Sequence, residues 1–167
     1  MSKGIPRVSV GLAVFNGENY VAEAIDSVLG QTYEDFELVI SDNASTDRTE
    51  EICRAYAAMD PRVRYFRNDR NIGGANNENR TFLLSRGEYF RWLGHDDRFA
   101  PPLLEESVAV LDAEPSVVLC HTQVILIDAD GNEIGLLDRN RATSEKARER
   151  FPQLTGWDHG CEELYGL

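Results

Sequence analysis

The chain has 167 residues, with 17 Lys+Arg against 29 Asp+Glu and a formal net charge of −12. Nucleic acid and anionic lipid surfaces are gripped mainly by Lys and Arg, so this balance argues against nucleic acid as a partner and disfavours anionic lipid. With 42% hydrophobic and 28% charged residues the composition excludes disordered and fibrous chains, and the length suits one domain that buries about 70% of its unfolded surface without disulfides or a structural metal.

Val8 to Val14 is a short apolar, β-branched run stopping at Asn16-Gly17, which predicts a buried strand and a turn. Val21, Ala24, Ile25, Val28 and Leu29 then recur at helical spacing, predicting a helix from Glu18 to Leu29 closed by Gly30. Phe36 to Ile40 predicts the next strand, broken by the polar cluster Ser41 to Asp47. Asp47 and Glu50 have capping-box spacing, and the helix they open has Ile52, Tyr56 and Met59 on one face and ends at Asp60-Pro61. Val63 to Phe66 predicts a third strand, and the glycine loop Asn71-Ile72-Gly73-Gly74 leads a helix that runs through Leu84 to Arg86-Gly87. Glu88 to Leu93 predicts a fourth strand, and Pro101-Pro102 starts a helix running to about Asp112. Val117 to Leu126 reads as a long strand, Asp128 to Asn132 as a tight turn, and Asp138 to Arg150 as a charged helical flap. Alternating strands and helices predict an α/β fold, with an open, doubly wound, mostly parallel sheet and helices on both faces.

Cys53, Cys120 and Cys161 are odd in number and far apart, which fits neither a zinc site nor a disulfide framework and points to a reducing compartment. The N-terminus lacks an apolar signal region and no stretch approaches the ~20 apolar residues of a membrane span, so a cytoplasmic protein without a transmembrane segment is expected. Lys3 and Lys146 are the only lysines, so arginine, whose fork suits phosphate and carboxylate, supplies nearly every positive contact.

Open α/β sheets bind ligands at the carboxyl ends of their strands, where the polar clusters fall. Asp96-Asp97 places two carboxylates after an apolar strand. Mg2+ or Mn2+, which take carboxylate oxygen and bridge to phosphates, would relieve their repulsion; the plain alternative is a turn that caps the next helix. Asp42 has two readings as well, an acceptor for a base N–H or ribose hydroxyl, or a turn with Asn43 and Ser45. Gly73-Gly74 lets backbone approach a ligand, but the loop lacks the Walker and dinucleotide spacings, so taken alone it reads as ordinary turn chemistry. Asp128-Ala129-Asp130 runs into Gly131-Asn132 and reads as a hairpin turn. His121 reads as a core histidine, and His95, beside Asp96, as a neighbour of metal or phosphate.

In order and spacing these residues resemble the family 2 glycosyltransferases of the GT-A fold. Val8-Ser9-Val10 through Phe15-Asn16 is similar to the family's first strand and its end. Gln31 through Asp47 resembles the stretch "SQTYxxFELIVxDDxSTD". Asn71-Ile72-Gly73-Gly74 through Asn79-Arg80, then Arg86 through Phe90, resembles "NxG…N…ARGEYI", and His95-Asp96-Asp97 falls where the family carries its metal-binding "DxDD". The resemblance implies transfer of a sugar, with inversion, from a nucleoside-diphosphate sugar to a glycan or lipid-linked acceptor. It places Asp42 at the nucleobase, Asp96 at the ribose or sugar, and Asp97 on a divalent metal, Mg2+ or Mn2+. Ala13 and Phe15 would line the base pocket, and Gly73, Asn79 and Arg80 would add donor contacts.

The sequence departs from the pattern at Gly94, in place of the first Asp, at Asn43, in place of the second Asp after the second strand, and at Glu78, where many members have Arg. Asn-x-Asn-Arg followed by His-Asp-Asp is similar to a bacterial branch associated with polysaccharide or cell-surface glycan synthesis, which implies a place in the cytoplasm or peripheral to the inner face of the membrane. By the resemblance, residues 1–167 are one nucleotide-sugar-binding half-domain, and the family's acceptor half and general base are expected beyond Leu167. The alternatives are a non-catalytic nucleotide-sugar-binding or interaction module, and a nucleotidyltransferase, against which the uncharged stretch Gly11 to Gly17 argues.

Overall fold

The computed structural model describes residues 4–129 and 131–136, and the chain divides into two compact units, Met1–Glu105 and Glu106–Leu167. In the first unit strands and helices alternate as β1 (Val8–Val14), α1 (Val21–Leu29), β2 (Phe36–Asp42), α2 (Thr49–Met59), β3 (Val63–Arg67), α3 (Gly74–Leu84) and β4 (Tyr89–Gly94). The four strands form one sheet in the order β3-β2-β1-β4, and each pair is parallel.

The register assigns every side chain to a face. Val10 pairs with Leu38 and with Arg91, and Ser9 pairs with Glu37 and Phe90. Leu12, Val14, Leu38 and Ile40 therefore point to one face and Ser9, Gly11, Glu37 and Ser41 to the other. All of β2 and nearly all of β1 are buried, as central parallel strands covered on both sides must be.

Helix α3 lies on the Gly11 face, where a Cβ on Gly11 would stand 2.4 Å from Thr81 Oγ1 and 2.6 Å from the Phe90 ring, so glycine is what lets α3 approach. Helix α2 lies on the opposite face, its Arg54 guanidinium over the Tyr65 ring, and Tyr56 ties it to α1 through a 2.7 Å bond to Asp26. Helix α1 buries Val21, Ala24, Ile25 and Val28, aliphatic side chains whose burial is worth about 1.5–3 kcal/mol for each of the larger ones.

Several local expectations are corrected. Helix α1 starts at Val21 rather than Glu18, because the Gly17 carbonyl takes the N–H groups of both Tyr20 and Val21 and the intervening residues form a turn. Gly30 closes it at φ −83°, with no left-handed residue. No capping box forms on α2. Asp47 accepts from the Thr49 N–H at 3.0 Å, while Glu50 turns away to Arg54 and Arg67. Met59 is exposed, and α2 buries Thr49 and Cys53 instead. Burial pushes the Cys53 thiol up to about 12, so it packs as an inert hydrophobe.

Helix α4 (Leu103–Ala113) begins where Pro101-Pro102 predicts, and Gln31 holds its start through the Leu104 N–H at 3.0 Å. In the second unit only β5 (Ile125–Ile127) and β6 (Glu133–Leu136) form strands among the described residues. The long strand expected over Val117 to Leu126 is therefore reduced to its last two residues plus Ile127. Apolar, β-branched composition gives Val117 to Val124 the propensity, but a strand needs a ladder partner, and none is paired with them among the described residues. His121 is half-buried outside any strand, rather than a core histidine. The tight turn is present as expected, with Gly131 at φ +83° and the Asn132 N–H on Asp128 Oδ1 at 2.9 Å. Asp130, the expected flap over 138–150, His159 and Cys161 lie outside the described residues.

Candidate functional site

Asn16-Gly17, directly after β1, is bonded residue by residue to the loop after β2. The Asn43 N–H donates to the Val14 carbonyl at 2.8 Å, and the Asn16 N–H to Ser45 Oγ at 3.0 Å. Asn16, at φ +53°, accepts the Thr46 N–H on its side chain at 2.8 Å. Short polar side chains tolerate this left-handed backbone, which is why asparagine fits there. Gly17 donates to Thr49 Oγ1 at 2.9 Å, and Glu18 to Asp47 Oδ2 at 3.1 Å. Burial alone would raise the Asp47 carboxyl, but hydrogen bonds from Thr49 and Glu18 outweigh it and hold the group below its ordinary value.

Asp42 ends β2 completely buried. Its Oδ1 accepts the Ser45 N–H at 2.8 Å, its Oδ2 accepts the Tyr65 hydroxyl at 2.7 Å, and the Arg67 guanidinium stands 3.7 Å away. Burial and the Asp42 carboxylate push the Tyr65 phenol upward, so it remains a donor. A base contact by Asp42 would have to use the carboxylate's remaining lone pairs and open this packing.

Behind Asp42 lies a chain of amides. Asn77 donates to the Ser41 carbonyl at 2.7 Å and accepts Ser41 Oγ at 2.7 Å. Asn68 donates to Asn77 and to Asn43. Asn43 also reaches the glycine loop, where Gly73 sits at φ +87° with open space around its Cα. Glycine is thus set there by backbone conformation.

At the end of β4 the Asp97 N–H returns to the Gly94 carbonyl at 3.2 Å. The Asp97 and Asp96 carboxylates fold back over the strand end, their Oδ2 and Oδ1 at 2.6 and 3.1 Å from where a Cβ on Gly94 would stand. Both residues are exposed. Among the described residues Asp97 has no hydrogen bond or ion pair on its carboxylate, and Asp96 has only His95 Nδ1 at 3.9 Å. The adjacent Arg98 reaches instead to Glu23, at 3.5 Å. The His95 ring packs on the β1 loop, where a Cβ on Gly17 would lie 2.7 Å from it.

The ends of β1, β2 and β4 thus bring together Phe15, Ala13, Asp42, Asp96 and Asp97. Gly73 joins them through the amide chain. Asn79 and Arg80 are not brought into this cluster. They sit about 9 Å farther along α3, Asn79 exposed and Arg80 half-buried with no hydrogen-bond partner on its Nε among the described residues. Exposed carboxylates are the hard oxygen donors that Mg2+ or Mn2+ takes jointly with phosphate. Among the described residues no group of three His, Cys, Asp or Glu side chains gathers to hold an ion unaided, and the two carboxylates present suit an ion shared with a phosphate. The sequence reading gives the Asn16-Gly17 turn and the turn of Asp42 with Asn43 and Ser45, which the Ser45 N–H on Asp42 Oδ1 bears out, but it passes over the buried Asn68 and Asn77, for which the density of asparagine from Asn68 to Asn79 is the available sign.

The sequence profile described as glycosyl transferase family 2 matches residues 9–161. The chain belongs to that family. An uncharacterized glycosyltransferase of Rickettsia typhi is 34% identical over 164 residues, covering 95% of this chain and 50% of that protein. One of Methanocaldococcus jannaschii is 33% identical over 129 residues, covering 76% and 44%. The chain thus spans half or less of the length of these relatives. Among solved structures, S. aureus TarS 1-349 in complex with UDP-GlcNAc superposes with a TM-score of 0.61 at 26% identity, over 64% of this chain and 31% of that one. The mannosyltransferase PcManGT from Pyrobaculum calidifontis, in complex with GDP-Man and Mn2+, gives 0.61 at 28% identity over 69% and 34%. The fold is GT-A, α/β with a parallel central sheet, and no helix among the described residues is long and apolar enough to cross a membrane.

Proposed function

We propose that this family 2 chain binds a nucleoside-diphosphate sugar at the carboxyl ends of β1, β2 and β4 and serves inverting transfer of the sugar to an acceptor hydroxyl of a glycan or lipid-linked acceptor. The observation that carries the reading is the Asp96-Asp97 turn, with two exposed carboxylates at the end of a strand and, among the described residues, no cation placed to neutralise Asp97. The nucleotide sugars and Mn2+ in the complexes of TarS and PcManGT support the donor class. Asp97 is the proposed ligand of Mg2+ or Mn2+, and Asp96 the proposed partner of the ribose or sugar. The bound ion would supply positive charge to the leaving diphosphate.

Ala13 and Phe15 are proposed to line the base pocket over a floor fixed by Asp42, with Gly73 at its edge. Asn79 and Arg80, which lie farther along α3 and outside this cluster, are the weakest of the proposed donor contacts, although Arg80 Nε has no hydrogen-bond partner among the described residues. In the reaction an acceptor oxygen, losing its proton to a general base, attacks the anomeric carbon as the bond to the diphosphate breaks on the opposite side. We assign that base to no residue named above. A cytoplasmic role in polysaccharide or cell-surface glycan synthesis rests on the Asn-x-Asn-Arg and His-Asp-Asp pattern.

The test is calorimetric titration with UDP, GDP and dTDP, with and without Mn2+, on the wild-type chain and on Asp97→Ala. Mn2+-dependent binding of one nucleotide, weakened at least about tenfold in the variant, is expected, a loss of about 1.4 kcal/mol. Binding unaffected by Mn2+ or by the substitution contradicts the proposal. Binding without turnover favours the non-catalytic module.

A further inference from the structure

At Asn43 the family's pattern has a carboxylate, yet this residue is 2% exposed and uses both ends of its amide. Its Oδ1 accepts the Ile72 N–H at 2.9 Å and Asn68 Nδ2 at 3.0 Å. The Ile72 donor is backbone, so it fixes which end of the amide is oxygen. Nδ2 then donates to Asn71 Oδ1 at 2.9 Å. That same oxygen accepts the Gly73 N–H at 2.9 Å, so Asn71 cannot flip without orphaning Gly73. The Asn43 N–H is held by the Val14 carbonyl at the end of β1.

We infer that Asn43 is a positioning residue whose amide holds the Asn71–Gly73 turn, and with it the start of α3, against the carboxyl ends of β1 and β2. This rests on the donor-site reading above. The role requires a group that accepts and donates at once. An ionised carboxylate at 43 would keep the Ile72 and Asn68 bonds but oppose its second oxygen to Asn71 Oδ1. At Asn71, whose Nδ2 has no bond among the described residues and which is exposed, a carboxylate would keep both of its bonds. One chemical change at two touching residues therefore has opposite consequences.

The experiment compares amide hydrogen exchange and UDP, GDP and dTDP binding with Mn2+ in the wild-type chain, Asn43→Asp, Asn43→Ala and Asn71→Asp. Asn43→Asp is expected to lower protection at Gly73 about tenfold while Ile72 and the strands keep theirs. Its Gly73 protection should return at low pH, where the protonated carboxyl again donates to Asn71. Asn43→Ala should expose Ile72 instead, and Asn71→Asp should leave both amides protected. Both Asn43 variants should remain folded, with the strand amides still protected, and bind the preferred nucleotide at least about tenfold more weakly. A wild type that binds while the Asn43 variants bind equally well, or exchange that is the same in all four proteins, overturns this inference and leaves the donor site standing. A wild type that binds no nucleotide removes the donor-site reading, and this inference with it.

Discussion

At the amino end of the sheet Glu37 is 2% exposed and accepts hydrogen bonds from Ser9 at 2.8 Å, Arg64 at 3.0 Å, and the Arg86 N–H and guanidinium at 2.8 and 2.6 Å. At the carboxyl end of the same sheet Asp97 is exposed, and its carboxylate accepts nothing among the described residues. A buried carboxylate survives only when neutralised and fully hydrogen-bonded. Burial alone would raise the Glu37 carboxyl, but the bonds from Arg86, Ser9 and Arg64 outweigh it and hold it below the ordinary 4.5. A carboxylate without such partners among the described residues, beside a second one, suits the external cation proposed above. The contrast separates charge that builds the fold from charge available to a ligand.

The largest effect should come from emptying the amino-end site. Glu37→Ala leaves Arg64 and Arg86 without their shared acceptor, and a loss of about 3 kcal/mol is expected in chemical denaturation, below the upper range because both guanidiniums keep some water. A loss under about 0.5 kcal/mol would erase the contrast. Acid sharpens it without changing the chain. Because the folded-state pKa of Glu37 lies below its unfolded value, its contribution is complete above about pH 4.5 and is lost as pH falls through the folded value. The stability gap between wild type and Glu37→Gln should therefore narrow between about pH 6 and about pH 3. Tyr65→Phe comes next, since it takes one donor from buried Asp42, and a cost of about 1–2 kcal/mol is expected. Asp97→Ala should change stability by no more than about 0.5 kcal/mol, because its carboxylate makes no hydrogen bond or ion pair among the described residues.

The core strands were legible because β1 and β2 are β-branched apolar runs buried on both faces, a pattern few other structures share. The resemblance located Asp96 and Asp97, and their polar position after an apolar strand already marked a strand end. Val117 to Val124 was misread because apolar composition reports a tendency to be buried and says nothing of a ladder partner. The amide chain escaped notice for a related reason. In a sequence, Asn68, Asn71 and Asn77 read as loop and helix-start composition; only the fold shows that Asn77 meets Ser41 across 36 positions and Asn43 meets Asn71 across 28. At Gly94, a departure from the family pattern, a Cβ would stand 2.6 Å from Asp97 Oδ2, the end of a flexible exposed side chain that can move aside, so packing does not account for the glycine.

The central claim, that the carboxyl end of the sheet holds the ion and the donor while the amino end only holds the fold, is tested most directly by Mn2+ broadening of amide resonances in the presence of UDP or GDP. The account predicts that signals from Phe15 to Gly17 and from Gly94 to Arg98 disappear first, while those of Glu37, Arg86 and Gly87 stay sharp, and that Asp97→Ala restores the lost signals. Broadening centred on the Glu37 end, or spread evenly over the chain, would contradict it.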